Sequence, residues 1–254
     1  MKICAISDTH RRRPVDLPEA DLLIHAGDIG SHGSAVEIEA EIKWLATLKP
    51  KFPKGIVYVP GNHDLALDAD MAQKEWEAWV RDPYHRYKPK QDSKGQRVAQ
   101  YLMDVCDQQG VHILIDEDVE IDGIKVYGSP YTPIFYDWAF MENEEDLSKR
   151  WAKIPEDVHV LVTHGPAQGI RDLCSGGNVG SSSLRYAIDY RFAQLKAHIF
   201  GHIHEGAGLS KIIRPQGDYV AWNAAVLDGN YQGFNKINVI EVTVEPSSEQ
   251  TAET

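Results

Sequence analysis

Short apolar runs recur along the chain: ICAIS (3–7), DLLIHA (21–26), GIVYVP (55–60), VHILI (111–115), IKVYGS (124–129), VHVLVTH (158–164), HIFGH (198–202), YVAWNAA (219–225) and INVIEV (237–242). Their length of about 4–8 residues and their β-branched and aromatic content predict strands rather than helices. Between several of them the apolar spacing lengthens to a helical one. Over residues 34–49, Ile38, Ile42, Leu45 and Leu48 share a face, and Ser34 with Glu37 has the spacing of a capping box. Residues 70–81 and 95–109 predict further helices, the second turning Val98, Leu102 and Val105 inward. Residues 181–196 predict another, with Leu184, Ile188, Phe192 and Leu195 as a core stripe.

Strand–helix alternation in the first half, followed by more closely spaced strands, predicts an α/β fold of two packed sheets flanked by helices. Residues 1–244 read as one domain and the polar stretch 245–254 as a frayed tail. Two Gly/Pro-rich stretches, GSPYTP (128–133) and CSGGNVGSSS (174–183), read as long surface loops of the kind that border sites.

Composition narrows the function classes. In 254 residues, 26 Lys and Arg stand against 38 Asp and Glu, a net charge of −12, with 43% apolar and 25% charged residues. That is globular composition, and no run approaches the roughly 18 apolar residues of a membrane helix. The start, MKICAISDTH, reaches charge too early for a signal peptide, and Cys4, Cys106 and Cys174 are too few and scattered for a disulfide framework. The expectation is a reduced, cytoplasmic protein without a membrane span. The acidic balance argues against stable binding of nucleic-acid polymers, yet a bound cation inverts the local field and admits small anionic substrates.

The chemistry sits where the strand runs end. Asp8-Thr9-His10 follows the first, Gly27-Asp28 the second and Gly61-Asn62-His63-Asp64 the third; His164-Gly165 and Gly201-His202-Ile203-His204 follow two later ones. Side chains leaving the carboxyl ends of strands converge on one edge of an α/β sheet. Asp, Asn and His delivered there from separate strands are hard to explain by packing.

This series resembles the calcineurin-like metallophosphoesterase superfamily, in the family's order and across about four-fifths of the chain. The resemblance implies an αββα sandwich of two mixed sheets with a dinuclear metal site at their edge. It implies that Asp8, His10 and His204 hold one metal, that Asn62, His164 and His202 hold the other, and that Asp28 bridges them. His63 is then the proton donor to the leaving oxygen, with Asp64 orienting or charge-stabilising it. The residue types suit phosphate-ester hydrolysis, because two cations neutralise phosphate oxygens and activate water near neutral pH. Mixed Asp/Asn/His ligation suits Mn, the favoured metal, or Fe, Zn, Ni or Co over Ca or Mg.

Ser7-Asp8-Thr9-His10, Gly128 to Pro133, His164-Gly165-Pro166, Gly201 to Gly206 and Asn223-Ala224-Ala225 are similar to the compact branch of metallophosphoesterase-domain-containing phosphodiesterases. That branch implies hydrolysis of small phosphodiesters such as cyclic nucleotides, by a metal-bridging hydroxide with His63 as general acid. Two alternatives stand beside it: a phosphomonoesterase acting on nucleotides or phosphoproteins, and a metal-bound scaffold for phosphorylated partners. Arg11, next to the first motif, is a candidate phosphate ligand, ahead of Arg12 and Arg13. His25 reads as a core residue, and His32, His85, His112, His159 and His198 receive no role. Cys174 reads chiefly as a loop residue, and Trp76, Trp79, Tyr84 and Trp138 as core or surface aromatics.

Overall fold

The computed structural model of the chain describes residues 1–73 and 95–244. The first half runs β1 (Lys2–Ile6), β2 (Leu22–His25), α1 (Ala35–Thr47), β3 (Gly55–Tyr58), α2 (Gly95–Gln109) and β4 (His112–Ile113). Then come β5 (Glu117–Ile121), β6 (Ile124–Ser129), β7 (Thr132–Pro133), β8 (Met141–Glu142), α3 (Glu144–Trp151) and β9 (Val160–Thr163). The chain continues through β10 (Leu173–Cys174), β11 (Gly177–Asn178), α4 (Ser182–Tyr190), β12 (Ala197–Phe200), β13 (Gly208–Ile212), β14 (Tyr219–Asn223) and β15 (Val239–Glu241).

The strands form two mixed sheets. One has the order β15-β1-β2-β3-β4, parallel except for β15; the other has the order β13-β14-β12-β9-β6-β5, parallel except at its edge strands β13 and β5. Because successive strand side chains point to opposite faces, each inner strand feeds two cores. Ile3 and Ala5 of β1 meet Val160, Val162, Ile199 and Trp222 in the layer between the sheets. Cys4 and Ile6 pack outward against Ile38, Ile42 and Leu45 of α1 and Leu102 and Val105 of α2. On the far side Leu161 and Phe200 pack against Leu147 and Trp151 of α3 and Leu184 and Ile188 of α4. The result is two packed sheets flanked by helices, as the strand and helix pattern predicted, in the αββα sandwich that the resemblance implied. Each large side chain so buried contributes about 1.5–3 kcal/mol.

Every apolar run identified in the sequence contains a strand. The edge strands β5 and β13 are additional: EDVEI and GLSKI are half-exposed and carry little apolar signal. Helix α3 is also additional, since only Leu147 and Trp151 mark its buried face. Asn143 caps it by accepting from the Asp146 N–H at 3.0 Å, and acidic residues fill its first turn.

Two helix expectations change. The helix expected over 181–196 stops at Tyr190; Phe192 and Leu195 stay in the core from a turn, while the Arg191 guanidinium binds the carbonyls of Trp151, Ala152 and Ile154. Ser34 caps α1 by position but makes no side-chain hydrogen bond. Glu37 instead accepts from the backbone N–H groups of Ser31 and His32, so the capping box is not formed. Residues 69–73 are helical, capped by Asp68 through the N–H groups of Asp70 and Met71. The rest of the expected 70–81 helix, with Trp76, Trp79, Tyr84, His85 and the 245–254 tail, lies outside the described residues.

Candidate metal centre

The parallel strands of both sheets end at a common edge, which an isolated bridge from Ser7 to Ala225 ties together. Asp8 and His10 follow β1, Asp28 follows β2, Asn62 and His63 follow β3, His164 follows β9, and His202 and His204 follow β12. They meet there. In each of three triads, Asp8/His10/His204, Asp28/His164/His202 and His10/Asp28/His63, the potential ligand atoms lie within 4.8 Å of one another. Asp28 stands between the first two: its Oδ2 is 3.8 Å from His10 Nε2 and its Oδ1 is 3.4 Å from His164 Nε2. Asn62 Oδ1 lies 2.8 Å from His164 Nε2, and Asp8 Oδ1 lies 3.4 Å from His204 Nε2.

This convergence carries a conformational cost in the backbone. Asp8, His10, Arg11, Asp28 and His202 all adopt left-handed φ angles, between 41° and 67°, a region that costs a residue with a Cβ about 1–3 kcal/mol. Cross-loop hydrogen bonds hold them there. Asp8 N–H donates to the Gly27 carbonyl at 2.8 Å, His10 N–H to that of Asp28 at 3.1 Å, and His202 N–H to Asp8 Oδ2 at 2.9 Å. At Gly61 a Cβ would collide with Asp28 Oδ1 and the His164 ring, and at Gly201 with Asp8 Oδ2. Only glycine allows the carboxylates to sit where they do.

Four imidazoles share one orientation device. Nδ1 of His10 faces the Gly30 carbonyl at 3.0 Å, that of His164 the Ala26 carbonyl at 3.0 Å, that of His204 the Asp228 carbonyl at 3.2 Å and that of His63 the Ser31 carbonyl at 2.9 Å. A carbonyl only accepts, so each Nδ1 carries the proton and each Nε2 is aimed at the shared space. His10 Nε2 is buried without a hydrogen-bond partner, which is costly unless a ligand completes it. Burial would raise the carboxyls of Asp8 and Asp28, but the facing His204 and His164 hold both well below the usual range. Burial pushes His202 down to about 4 and lowers His10 as well. Two anionic carboxylates, an Asn carbonyl and imidazole Nε2 atoms turned toward one space form the donor set of borderline divalent cations. The residues fit two such ions.

The outlying candidates behave differently. Asp64 does not touch the His63 ring: its Oδ1 accepts from Gly30 N–H at 2.9 Å and its Oδ2 from Gly61 N–H at 2.8 Å, stitching two ligand loops together. Burial, then repulsion from Asp28, raises its pKa to about 6. The carbonyl facing the His63 Nδ1 is that of Ser31. Arg11 is exposed and is not among the residues that line the cavity described below. Arg13 pairs with Glu41 at 2.9 Å. His25 is a core residue that also braces the site, accepting from Gly27 N–H at 3.3 Å and reaching Thr9 Oγ1 at 3.1 Å.

A cavity of about 860 Å³ opens beside this edge. Asp28, Asn62, His63, His202 and His204 form its floor, and both Gly/Pro-rich stretches flagged in the sequence supply its walls. Cys174 lines it, as do Trp138 and Tyr231, whose places sequence reasoning missed. The Trp138 ring lies 4.2 Å from that of His63, and the Tyr231 ring 4.5 Å from that of His204. Tyr231 sits in the turn-rich DGNYQG stretch, whose glycines and Asn marked a loop but no destination.

A two-sheet sandwich with carboxylate-centred histidine triads at the carboxyl edge presents the donor set of a dinuclear metal centre. The calcineurin-like phosphoesterase family model matches residues 1–206, and the chain belongs to that family. It is 32% identical over 249 residues to Metallophosphoesterase domain-containing protein 1 of Homo sapiens, covering 95% of this chain and 71% of that protein. It is 28% identical over 175 residues to the [acyl-carrier-protein] phosphodiesterase PptH of Mycobacterium tuberculosis, covering 63% of this chain and 45% of that protein. The crystal structure of that phosphopantetheinyl hydrolase superposes with a TM-score of 0.54 at 16% identity, over 91% of this chain and 90% of that one, a likeness of fold.

Proposed function

We propose that the chain is a phosphodiesterase of small phosphodiesters, cyclic nucleotides among them, acting with two divalent cations. The observation that carries this reading is Asp28 standing between the Asp8/His10/His204 and Asp28/His164/His202 triads, with His63 on the same floor. In this reading Asp8, His10 and His204 hold one cation, Asn62, His164 and His202 the other, and Asp28 both. The pair, which we take as Mn²⁺, supplies Lewis acidity and activates water near neutral pH. Asp64 holds the loops of Gly30 and Gly61 in register. His63, its Nδ1 proton committed to Ser31, presents Nε2 to the leaving oxygen and donates a proton there in its protonated form.

A diester is favoured over a monoester because the cavity continues well beyond the metal-facing residues and leaves room for a second ester arm. The name of the mycobacterial relative, a phosphodiesterase, agrees. The test is reconstitution with Mn²⁺ and rate comparison on bis-nitrophenyl phosphate, nitrophenyl phosphate, and 2′,3′- and 3′,5′-cyclic AMP. Faster diester turnover supports the reading. Dominant monoester turnover makes the chain a phosphatase, and inertness on every ester in the loaded protein makes it a scaffold.

A further inference from the structure

The walls of the cavity differ in character from its floor. Ile134, Phe135, Tyr136, Trp138 and Val179 line it, and among the described lining residues there is no Lys, Arg or Glu, with Asp28 the one carboxylate. The apolar character continues outward: Ile134 is 62% exposed, Phe135 57% and Tyr136 78%, with Leu173 at 65% beside the cavity-lining Cys174. Solitary exposed apolar residues are ordinary, but a contiguous set running into a concave site marks a binding surface.

The lining also restricts what binds. A second phosphate or a carboxylate entering with the substrate would need a cation on the wall, and the described walls offer none. Aromatic rings hold a nucleobase by its face, but its edge is read in bidentate fashion by amide, carboxylate or guanidinium groups. Outside the metal-facing residues, the described polar side-chain groups here are the hydroxyls of Thr132, Ser175, Tyr136 and Tyr231, the Trp138 indole N–H and the Cys174 thiol. What the wall favours is hydrocarbon.

We infer that the preferred substrate is a phosphodiester with a single phosphate whose second arm is an uncharged alkyl chain of four or more carbons, lying along Ile134, Phe135 and Val179. This rests on the phosphodiesterase reading above and names its substrate class. The phosphate sits over Asp28 and His63 while the arm follows the wall outward, so chain length adds buried area without touching the reacting atoms.

The experiment uses methyl, butyl and octyl nitrophenyl phosphates and thymidine 5′-nitrophenyl phosphate with the Mn²⁺-loaded full chain. Water adds its oxygen to phosphorus, the P–O bond to nitrophenolate breaks, and the alkyl phosphate remains. Burying even a few methylenes is expected to raise kcat/KM at least tenfold from methyl to octyl, with the octyl ester ahead of the thymidine ester. The exposed double variant Ile134→Ser with Phe135→Ser is expected to shrink the octyl-to-methyl ratio to under threefold. A flat series, a leading thymidine ester, or an unchanged ratio in the variant overturns the inference while leaving the phosphodiesterase. If no ester is turned over, the functional reading fails. Calorimetric binding of octylphosphonate against methylphosphonate then decides the arm alone: tighter octyl binding sustains it and equal binding overturns it.

Discussion

The Nδ1 of His63 donates to the carbonyl of Ser31 across 2.9 Å, and the Trp138 ring lies against the imidazole. This fixes both the tautomer and the plane of a side chain that sits in a loop, and leaves Nε2 toward the metal-facing floor. His63→Ala is expected to lower turnover of esters with poor leaving groups about 10²–10⁴-fold. Turnover of an activated nitrophenyl ester should fall far less, because nitrophenolate leaves without a proton. Metal content by elemental analysis should be retained; equal loss on both esters would remove the proton-donor role.

The Ser31 loop has its own support. Glu37 accepts from the N–H groups of Ser31 and His32, and Ser31 Oγ donates to the His10 carbonyl at 2.9 Å. Glu37→Ala should therefore act at a distance, costing about 2 kcal/mol of stability as two backbone donors lose a carboxylate. Activity on poor leaving groups should drop about tenfold through His63 misplacement, with Glu37→Gln, which keeps one acceptor, in between. Urea unfolding and the ratio of rates on poor and good leaving groups measure the two effects separately.

Cation binding is expected to compete with protons. Burial opposes charge on His164 and His204, but the carboxylates of Asp28 and Asp8 outweigh it and lift their pKa values to about 9 and about 8. After chelation both rings hold an extra proton at pH 7, and rebinding must expel it. Calorimetry in buffers of different ionisation enthalpy should register release of about two protons at pH 7. Affinity should weaken as pH falls below about 9 and more steeply below about 8, and Asp28→Asn should reduce both affinity and proton release.

A separate pH dependence belongs to the core. Burial lowers His198 to about 3, with its Nε2 on Thr163 Oγ1 at 2.8 Å and its Nδ1 without a partner. The unfolded chain takes up this proton near the ordinary value of 6.5, the native chain only near 3. The neutral ring's contribution is complete above pH 6.5 and is lost as pH falls toward 3. His198→Phe should flatten the stability profile in that window by up to about 1.4 kcal/mol per pH unit. Urea midpoints at pH 6.5, 5.5 and 4.5 check this, His25, also lowered to about 3, leaving a residual slope.

The local sequence alone determined the inner strands, helices α1 and α2, and the candidate ligand residues at the strand ends. These depend on periodicity and on residue types next to one another, such as Gly61-Asn62-His63-Asp64. Edge strands β5 and β13 escaped because a strand with one solvated face and many charges carries little periodic signal. The partners that make the site work were also out of reach. His164 Nδ1 finds the Ala26 carbonyl 138 positions away, and His202 N–H finds Asp8 across 194. Glu37 has the spacing of a cap and serves the Ser31 loop instead, and Asp64 adjoins His63 in sequence yet binds Gly30 and Gly61. Trp138 and Tyr231 carry no sequence signal for the wall they share with Cys174, since only the packing of separate loops brings them to one cavity. Residue type and spacing decide which groups reach the sheet edge; hydrogen bonds and burial between distant segments decide which way each one faces.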